Sequence, residues 1–260
     1  MGRDQTQAPG EKTNPMKAAQ RAMRPPVAKR FYKDAGVEKK DGGFALVLDG
    51  KMAKTPARQP LLLPTRALAE AVAAEWASQG SEIDPAKMPL TRLANFAIDR
   101  TTMEAAAIRE EIIRYLASDH VLYRAAEPEG LVALQAAHWD PIVDWAHRSL
   151  GARFILAEGV NYVVQPETAL AAARAEVENW PAPFALAALA SLTSLAGSAL
   201  IALALARGRL SVVEAWNAAY VDEDWNMRQW GEDAEAVGRR AQRFSEFEGA
   251  AKMLTLLDRT

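Results

Sequence analysis

The stretch Asp41-Gly42-Gly43-Phe44-Ala45-Leu46-Val47-Leu48-Asp49-Gly50-Lys51 decides the fold class of this chain. Phe44 to Leu48 is a continuous apolar run of strand length. Asp49-Gly50 behind it is a two-residue turn signal, because glycine takes the positive φ that such turns require. Lys51 to Thr55 can return antiparallel before Pro56, and Leu61-Leu62-Leu63 offers a further short strand closed by Pro64. Residues 29–63 therefore read as a β-meander. Beyond it the apolar residues take up helical spacing. Thr65 can cap a helix whose inner face carries Leu68, Val72 and Trp76 at four-residue spacing.

The remainder reads as mostly helical. A helix near 103–117 places Ile108, Ile112 and Tyr115 on one face, and another pattern runs from Leu131 through Leu134 and His138. Asp140-Pro141 either kinks that helix or starts a new one with proline in its first turn; Gly151 ends the unit. Strand character returns over 153–164, where Val160, Tyr162 and Val164 alternate after the turn Glu158-Gly159. Residues 168–180 are helical through Leu170, Val177 and Trp180, and Pro181 stops them. From Asn179 to Ala206 there is no charged residue, long enough to imitate a membrane span. Its composition is mostly alanine with Pro181, Pro183, Ser191, Thr193, Ser194 and Ser198. That reads better as helices buried on all sides of a helical domain, without membrane insertion. The expected fold class is α+β. A disordered basic arm (1–28) precedes a small N-terminal α/β domain with antiparallel strands (29–100). A mainly helical domain follows (101–260), with a short strand pair near 153–164.

Composition excludes several functions. The 260 residues are half apolar and one quarter charged, as in ordinary globular proteins. Alanine contributes 53 of them, which favours close helix packing. With no cysteine there is no disulfide framework, thiolate metal site or cysteine nucleophile. The net charge is −2, yet residues 1–40 carry ten Lys/Arg against four Asp/Glu. That arm lacks the apolar core of a secretory signal, and Asp4 and Glu11 sit badly in a mitochondrial presequence. The expected location is the cytoplasm for a bacterial protein and the mitochondrial matrix for a eukaryotic one. There is no phosphate loop, no G-x-G-x-x-G, no G-x-S-x-G elbow and no H-E-x-x-H. The three histidines, His120, His138 and His147, lack metal-ligand partners at useful spacing. No catalytic residue, metal or cofactor is expected.

The stretch 211–235 carries the most information about function. Ser211 and Glu214 form an S-x-x-E capping box. Trp216, Tyr220, Glu223, Met227 and Trp230 follow at steps of four, three, four and three, which sets a carboxylate inside an apolar stripe. Such a carboxylate is paired, protonated or reserved for a partner. In one reading Glu223 meets an internal arginine, with Arg114, Arg124 and Arg207 as candidates. In the other it belongs to an acidic-aromatic patch with Asp222, Asp224, Trp225 and Trp230, on which a partner docks, since tryptophan is a typical anchor. A general acid is the least favoured role.

These residues belong to a wider pattern. Arg30-Phe31-Tyr32-Lys33 opens it, then Leu48-Asp49-Gly50-Lys51, Lys54-Thr55-Pro56, Glu75-Trp76, Met88-Pro89-Leu90-Thr91-Arg92-Leu93 and Ile98-Asp99-Arg100. Asp119, Tyr123-Arg124, Gln135 and Trp139-Asp140-Pro141 come next, and Asp222-Glu223 with Trp230-Gly231-Glu232-Asp233 close it. In this order the set resembles the assembly-chaperone family that handles the α subunit of the F1 part of ATP synthase. Asn226 departs from it, standing where the family pattern has glutamine. The resemblance implies a small α/β domain before a helical one. It also implies a non-enzymatic function: binding the unassembled F1 α subunit and covering the surface later taken by the β subunit. It places the partner contact on an acidic residue of the C-terminal domain, here Glu223, with Asp222, Asp224, Trp225 and Trp230 as neighbours.

Two other classes compete. The basic arm could serve an RNA- or ribosome-associated protein, but it has few interleaved aromatics and the rest of the chain is acidic, so no nucleic-acid partner is expected. A carboxylate hydrolase could use Glu223 with Asp119 or Asp222. Adjacent residues on a helix diverge by about 100°, which makes Asp222 and Glu223 a poor pair.

Overall fold

A computed structural model describes residues 28–159, 163–231 and 234–257. The arm expected over 1–28 lies outside the described residues except for Ala28, as do Val160 and Tyr162 of the expected strand run.

The antiparallel meander forms as its sequence dictates. β1 (Ala35–Lys40) pairs along its whole length with β2 (Gly43–Leu48), with Ala35 opposite Leu48 and Lys40 opposite Gly43. The other edge of β2 is shared: its start meets β4 (Leu62–Leu63) and its end meets β3 (Lys51–Met52). Asp49 and Gly50 both take positive φ, 47° and 74°, which is the turn the Asp-Gly pair foreshadows. The Asp49 carboxylate also accepts hydrogen bonds from the backbone of Lys33 (3.0 Å) and Asp34 (2.8 Å), fastening the entering chain.

Helix α1 (Arg66–Ala77) lies against this sheet, its Thr65 hydroxyl accepting from the Leu68 amide at 3.2 Å. Leu68 and Val72 join Leu46, Leu48, Leu61 and Leu63 in one apolar cluster. The Arg-Phe-Tyr-Lys motif is part of the same assembly. Tyr32 donates to the carbonyl of Trp76 (2.7 Å), and Arg30 lies over the Tyr32 ring while bonding the Gln79 carbonyl (2.6 Å).

The helical part follows as α2 (Pro89–Phe96), a π turn (97–101), α3 (Thr102–Ala117), α4 (Glu129–Trp145), a second π turn (146–150) and α5 (Glu167–Glu178). Then come α6 (Phe184–Ala196), α7 (Ala199–Ala206), α8 (Val212–Ala219), α9 (Val221–Trp230) and α10 (Ala234–Leu257). Pro141 neither splits nor caps a helix, because α4 runs through it, held by the burial of Trp139, Ile142 and Trp145. The strand expected near 153–164 is different from the local pair foreseen. β6 (Ala157–Glu158) pairs in parallel with β5 (Tyr123–Arg124), so its partner lies some thirty residues upstream. The uncharged stretch forms α6 and α7, and α7 is buried on every side from Ala199 to Leu205. No helix among the described residues is long and apolar enough to cross a membrane. The last turns of α10 return to the first cluster through Met253, Leu254, Leu256 and Leu257, and the Thr65 hydroxyl donates to the Leu256 carbonyl at 2.8 Å.

Candidate partner-binding surface

The capping box forms as expected. Ser211 Oγ accepts from the Glu214 amide (3.2 Å) and the Glu214 carboxylate accepts from the Ser211 amide (2.7 Å). The apolar stripe that follows does not lie on one helix. Tyr220, at φ −117° and ψ 19°, breaks the chain between α8 and α9. The physical reason is anchorage of its ring and hydroxyl. The ring centroid stands 4.1 Å from that of Trp216, and the hydroxyl accepts from Arg243 Nε at 2.7 Å and donates to the Leu195 carbonyl at 3.4 Å. Burial pushes the Tyr220 hydroxyl above its usual pKa, while Arg243 pulls the other way. Trp216 packs on Phe244 and Phe247 of α10, so the stripe's first two aromatics serve the core.

After the break the register changes, and the five candidates separate. Asp222 accepts from Gln135 Nε2 (2.8 Å), and the other end of that amide accepts from the Ala125 backbone (2.8 Å), so Asp222 ties α9 to α4. Asp224 pairs with Arg240 of α10, whose guanidinium also lies 4.9 Å from the Tyr220 ring centroid. Trp225 is half-buried and packs on Gly130. A Cβ built there would stand 2.7 Å from the indole, a close approach that only glycine permits. Glu223 is exposed and has no hydrogen bond or ion pair among the described residues. Trp230 is 87% exposed at the end of α9.

The internal pairing considered for Glu223 is therefore corrected: Arg124 binds Asp140 at 2.7 Å, and Arg207 pairs with Glu176. Asp222, Asp224 and Trp225 hold α9 in place, while Glu223 and Trp230 face outward. The three acids of its first turn also suit the positive end of the helix dipole. Glu127 and Glu129, at the neighbouring start of α4, are exposed too. Sequence reasoning missed Gln135, Arg240 and Arg243 as the groups that set this surface. Their roles depend on contacts 13 to 87 residues away, although Arg240 and Arg243 do share one face of a helix.

The other carboxylate considered for chemistry lies elsewhere. Asp119 is fully buried and accepts from the amides of Leu200 (3.0 Å) and Val121 (3.3 Å). Burial pushes its carboxyl up, opposed by His120, Ser198 and those amides. It joins the two ends of a chain crossing and forms no pair with Glu223. His120 Nδ1 lies 3.1 Å from the Gly197 carbonyl, and His147 Nε2 accepts from Arg153 at 2.6 Å. Among the described residues no group of three or more His, Asp or Glu is arranged to hold a metal ion.

The signature residues upstream are likewise structural. Asp99 accepts from the Thr55 hydroxyl and the Ala57 amide, and Trp139 Nε1 donates to the Ala218 carbonyl at 2.7 Å, fixing the end of α8.

Comparison with known proteins adds a second line. Residues 29–147 match the family described as ATP12 chaperone protein. The mitochondrial protein atp12 of Schizosaccharomyces pombe is 24% identical over 227 residues, covering 82% of this chain and 77% of that protein. The crystal structure of Atu1473 from Agrobacterium tumefaciens, 48% identical, superposes with a TM-score of 0.86 over 94% of this chain and 92% of that one. Atp12 from Paracoccus denitrificans is 39% identical, with a TM-score of 0.82 over 88% of this chain and 98% of that one.

Proposed function

Because this chain belongs to the ATP12 chaperone family, we propose that it binds the unassembled α subunit of F1-ATPase and shields its subunit interface until the β subunit takes its place. A free subunit of a ring exposes a large, partly apolar interface that invites aggregation, so a reversible cover is what its assembly needs. The observation that carries the reading here is the separation of roles on α9. Asp222, Asp224 and Trp225 are spent on the fold, whereas Glu223 and Trp230 stand exposed on the same helix. An exposed tryptophan costs solubility and brings the fold little, but two turns along one helix from an unpaired carboxylate it suits a docking anchor.

In this reading Glu223 contacts the partner directly, Trp230 fills an apolar recess, and the other three set the geometry. The chain acts by binding, without catalysis or cofactor. The test is capture of purified F1 α subunit, with F1 β subunit and assembled F1 as controls, by the wild-type chain and by Glu223→Lys. Selective capture of free α, reduced at least about tenfold in a folded variant, is expected for a hot-spot contact. Equal capture by both proteins removes the role from Glu223. No capture by the folded wild-type chain refutes the function.

A further inference from the structure

Asp222, Glu223 and Asp224 open α9 in a row, and among the described residues only the middle one has no partner. Successive helical residues turn by about 100°, so the two aspartates point about 200° apart with Glu223 midway between them. Each aspartate is anchored to a different helix: Asp222 to Gln135 of α4, and Asp224 to Arg240 of α10. Buried Val221 and half-buried Trp225 fill the opposite arc, against the body of the protein. Two flanking anchors thus define one rotation of α9, and that rotation turns Glu223 outward.

The Gln135 amide has one usable orientation. The side chain is buried, and its Oε1 accepts from the Ala125 amide, so Nε2 is the end left for α9 and the group opposite it must accept. Asp222 supplies that acceptor. On the other flank, the Arg240 guanidinium lies over the Tyr220 ring at the start of α9 and reaches Met227 Sδ at 3.8 Å. Apolar burial contributes little, because among the described residues of α9 Val221 alone is buried. Polar contacts therefore set the rotation of the helix, and Gln135 is too enclosed for a partner to touch.

We propose that Gln135 and Arg240 are positioning residues for binding of the α subunit: by clamping Asp222 and Asp224 they present Glu223, and not its neighbours, to the partner. The inference rests on the chaperone reading above. The side-chain lengths agree with it, since the two clamped acids are aspartates and the presented one is the longer glutamate.

The test measures the affinity of full-length variants for purified F1 α subunit by calorimetry, with thermal unfolding recorded for each. Gln135→Glu sets two carboxylates face to face and is expected to weaken α binding about tenfold. Adding Asp222→Asn puts a donor opposite an acceptor again, and affinity is expected to return to within about threefold of wild type. Glu223→Gln supplies the readout that a general loss of stability would not move. If Gln135 acts through Glu223, Gln135→Glu weakens binding little further in the Glu223→Gln background, so the two losses are not additive. Arg240→Ala covers the case in which Gln135→Glu fails to fold; about three- to tenfold weaker binding is expected, again only while Glu223 is present. Additive losses, no rescue by Asp222→Asn in a folded protein, or wild-type affinity in the folded single variants each overturn the clamp and leave the chaperone reading standing. If the wild-type chain binds no α, that reading falls and the clamp with it.

Discussion

The Glu75 carboxylate stops one helix from fraying although it sits on another. It accepts from the amides of Leu90 and Thr91 (both 2.8 Å) and from the Thr91 hydroxyl (2.7 Å), and so caps α2, whose own preceding residue, Met88, provides no side-chain cap. Burial pushes this carboxyl up, against the pull of those three bonds. Glu75→Ala leaves two amides and a hydroxyl without their acceptor. Losing an N-cap costs about 0.5–2 kcal/mol, and the hydroxyl bond adds about 1 kcal/mol. Release of a half-buried charge returns part of this. The net expectation is a loss of about 2 kcal/mol, or about 4–8 °C in Tm for a chain of this size. Glu75→Gln keeps one acceptor and is expected to lose roughly half as much. Urea unfolding followed by circular dichroism measures both, with the slope m checked for constancy. Stability of Glu75→Ala within about 0.5 kcal/mol of wild type, the range of a neutral surface change, would refute the capping argument.

Asp119 holds its proton above the unfolded value, so the folded chain binds more protons than the unfolded one across that interval, and its contribution falls as pH rises through it. Asp119→Asn, which does not ionise, is therefore expected to gain stability relative to wild type as pH rises above the ordinary carboxylate range. A difference independent of pH in paired urea titrations contradicts this. Gly130→Val drives a side chain into the Trp225 indole and is expected to cost about 1–3 kcal/mol by overpacking. Unfolding monitored by tryptophan fluorescence checks it, and unchanged stability would show that the α4–α9 contact is loose. Trp230→Ala removes an 87% exposed ring. Its stability is expected to stay within about 0.5 kcal/mol of wild type while F1 α affinity drops, measured by calorimetry; a large stability loss would make Trp230 a fold residue.

Local chemistry made much of the fold legible. Asp49-Gly50 announced its turn, Thr65 its helix, and Ser211 with Glu214 another, because each signal acts within four residues. Three features could not be read that way. Pro141 lies inside α4 because buried Trp139, Ile142 and Trp145 outweigh one missing amide. Ala157–Glu158 chose a partner across the fold, at Tyr123–Arg124, over a nearby one. The break at Tyr220 depends on Arg243 and the Leu195 carbonyl, so a regular spacing of four and three residues hid two helices. The candidate surface shared that difficulty. Its five residues all lie on α9, but their division into inward and outward members followed from Gln135, Gly130 and Arg240, which sequence spacing does not connect to α9.

The claim that this chain covers the α interface until β arrives is tested most directly by displacement. A preformed complex of the chain with purified F1 α subunit is mixed with increasing F1 β subunit and resolved by size-exclusion chromatography with light scattering. The account predicts that the chain leaves as α–β complexes form, in proportion to the β added, and that α stays soluble throughout. A stable ternary complex, with the chain still bound to paired α and β, would contradict it.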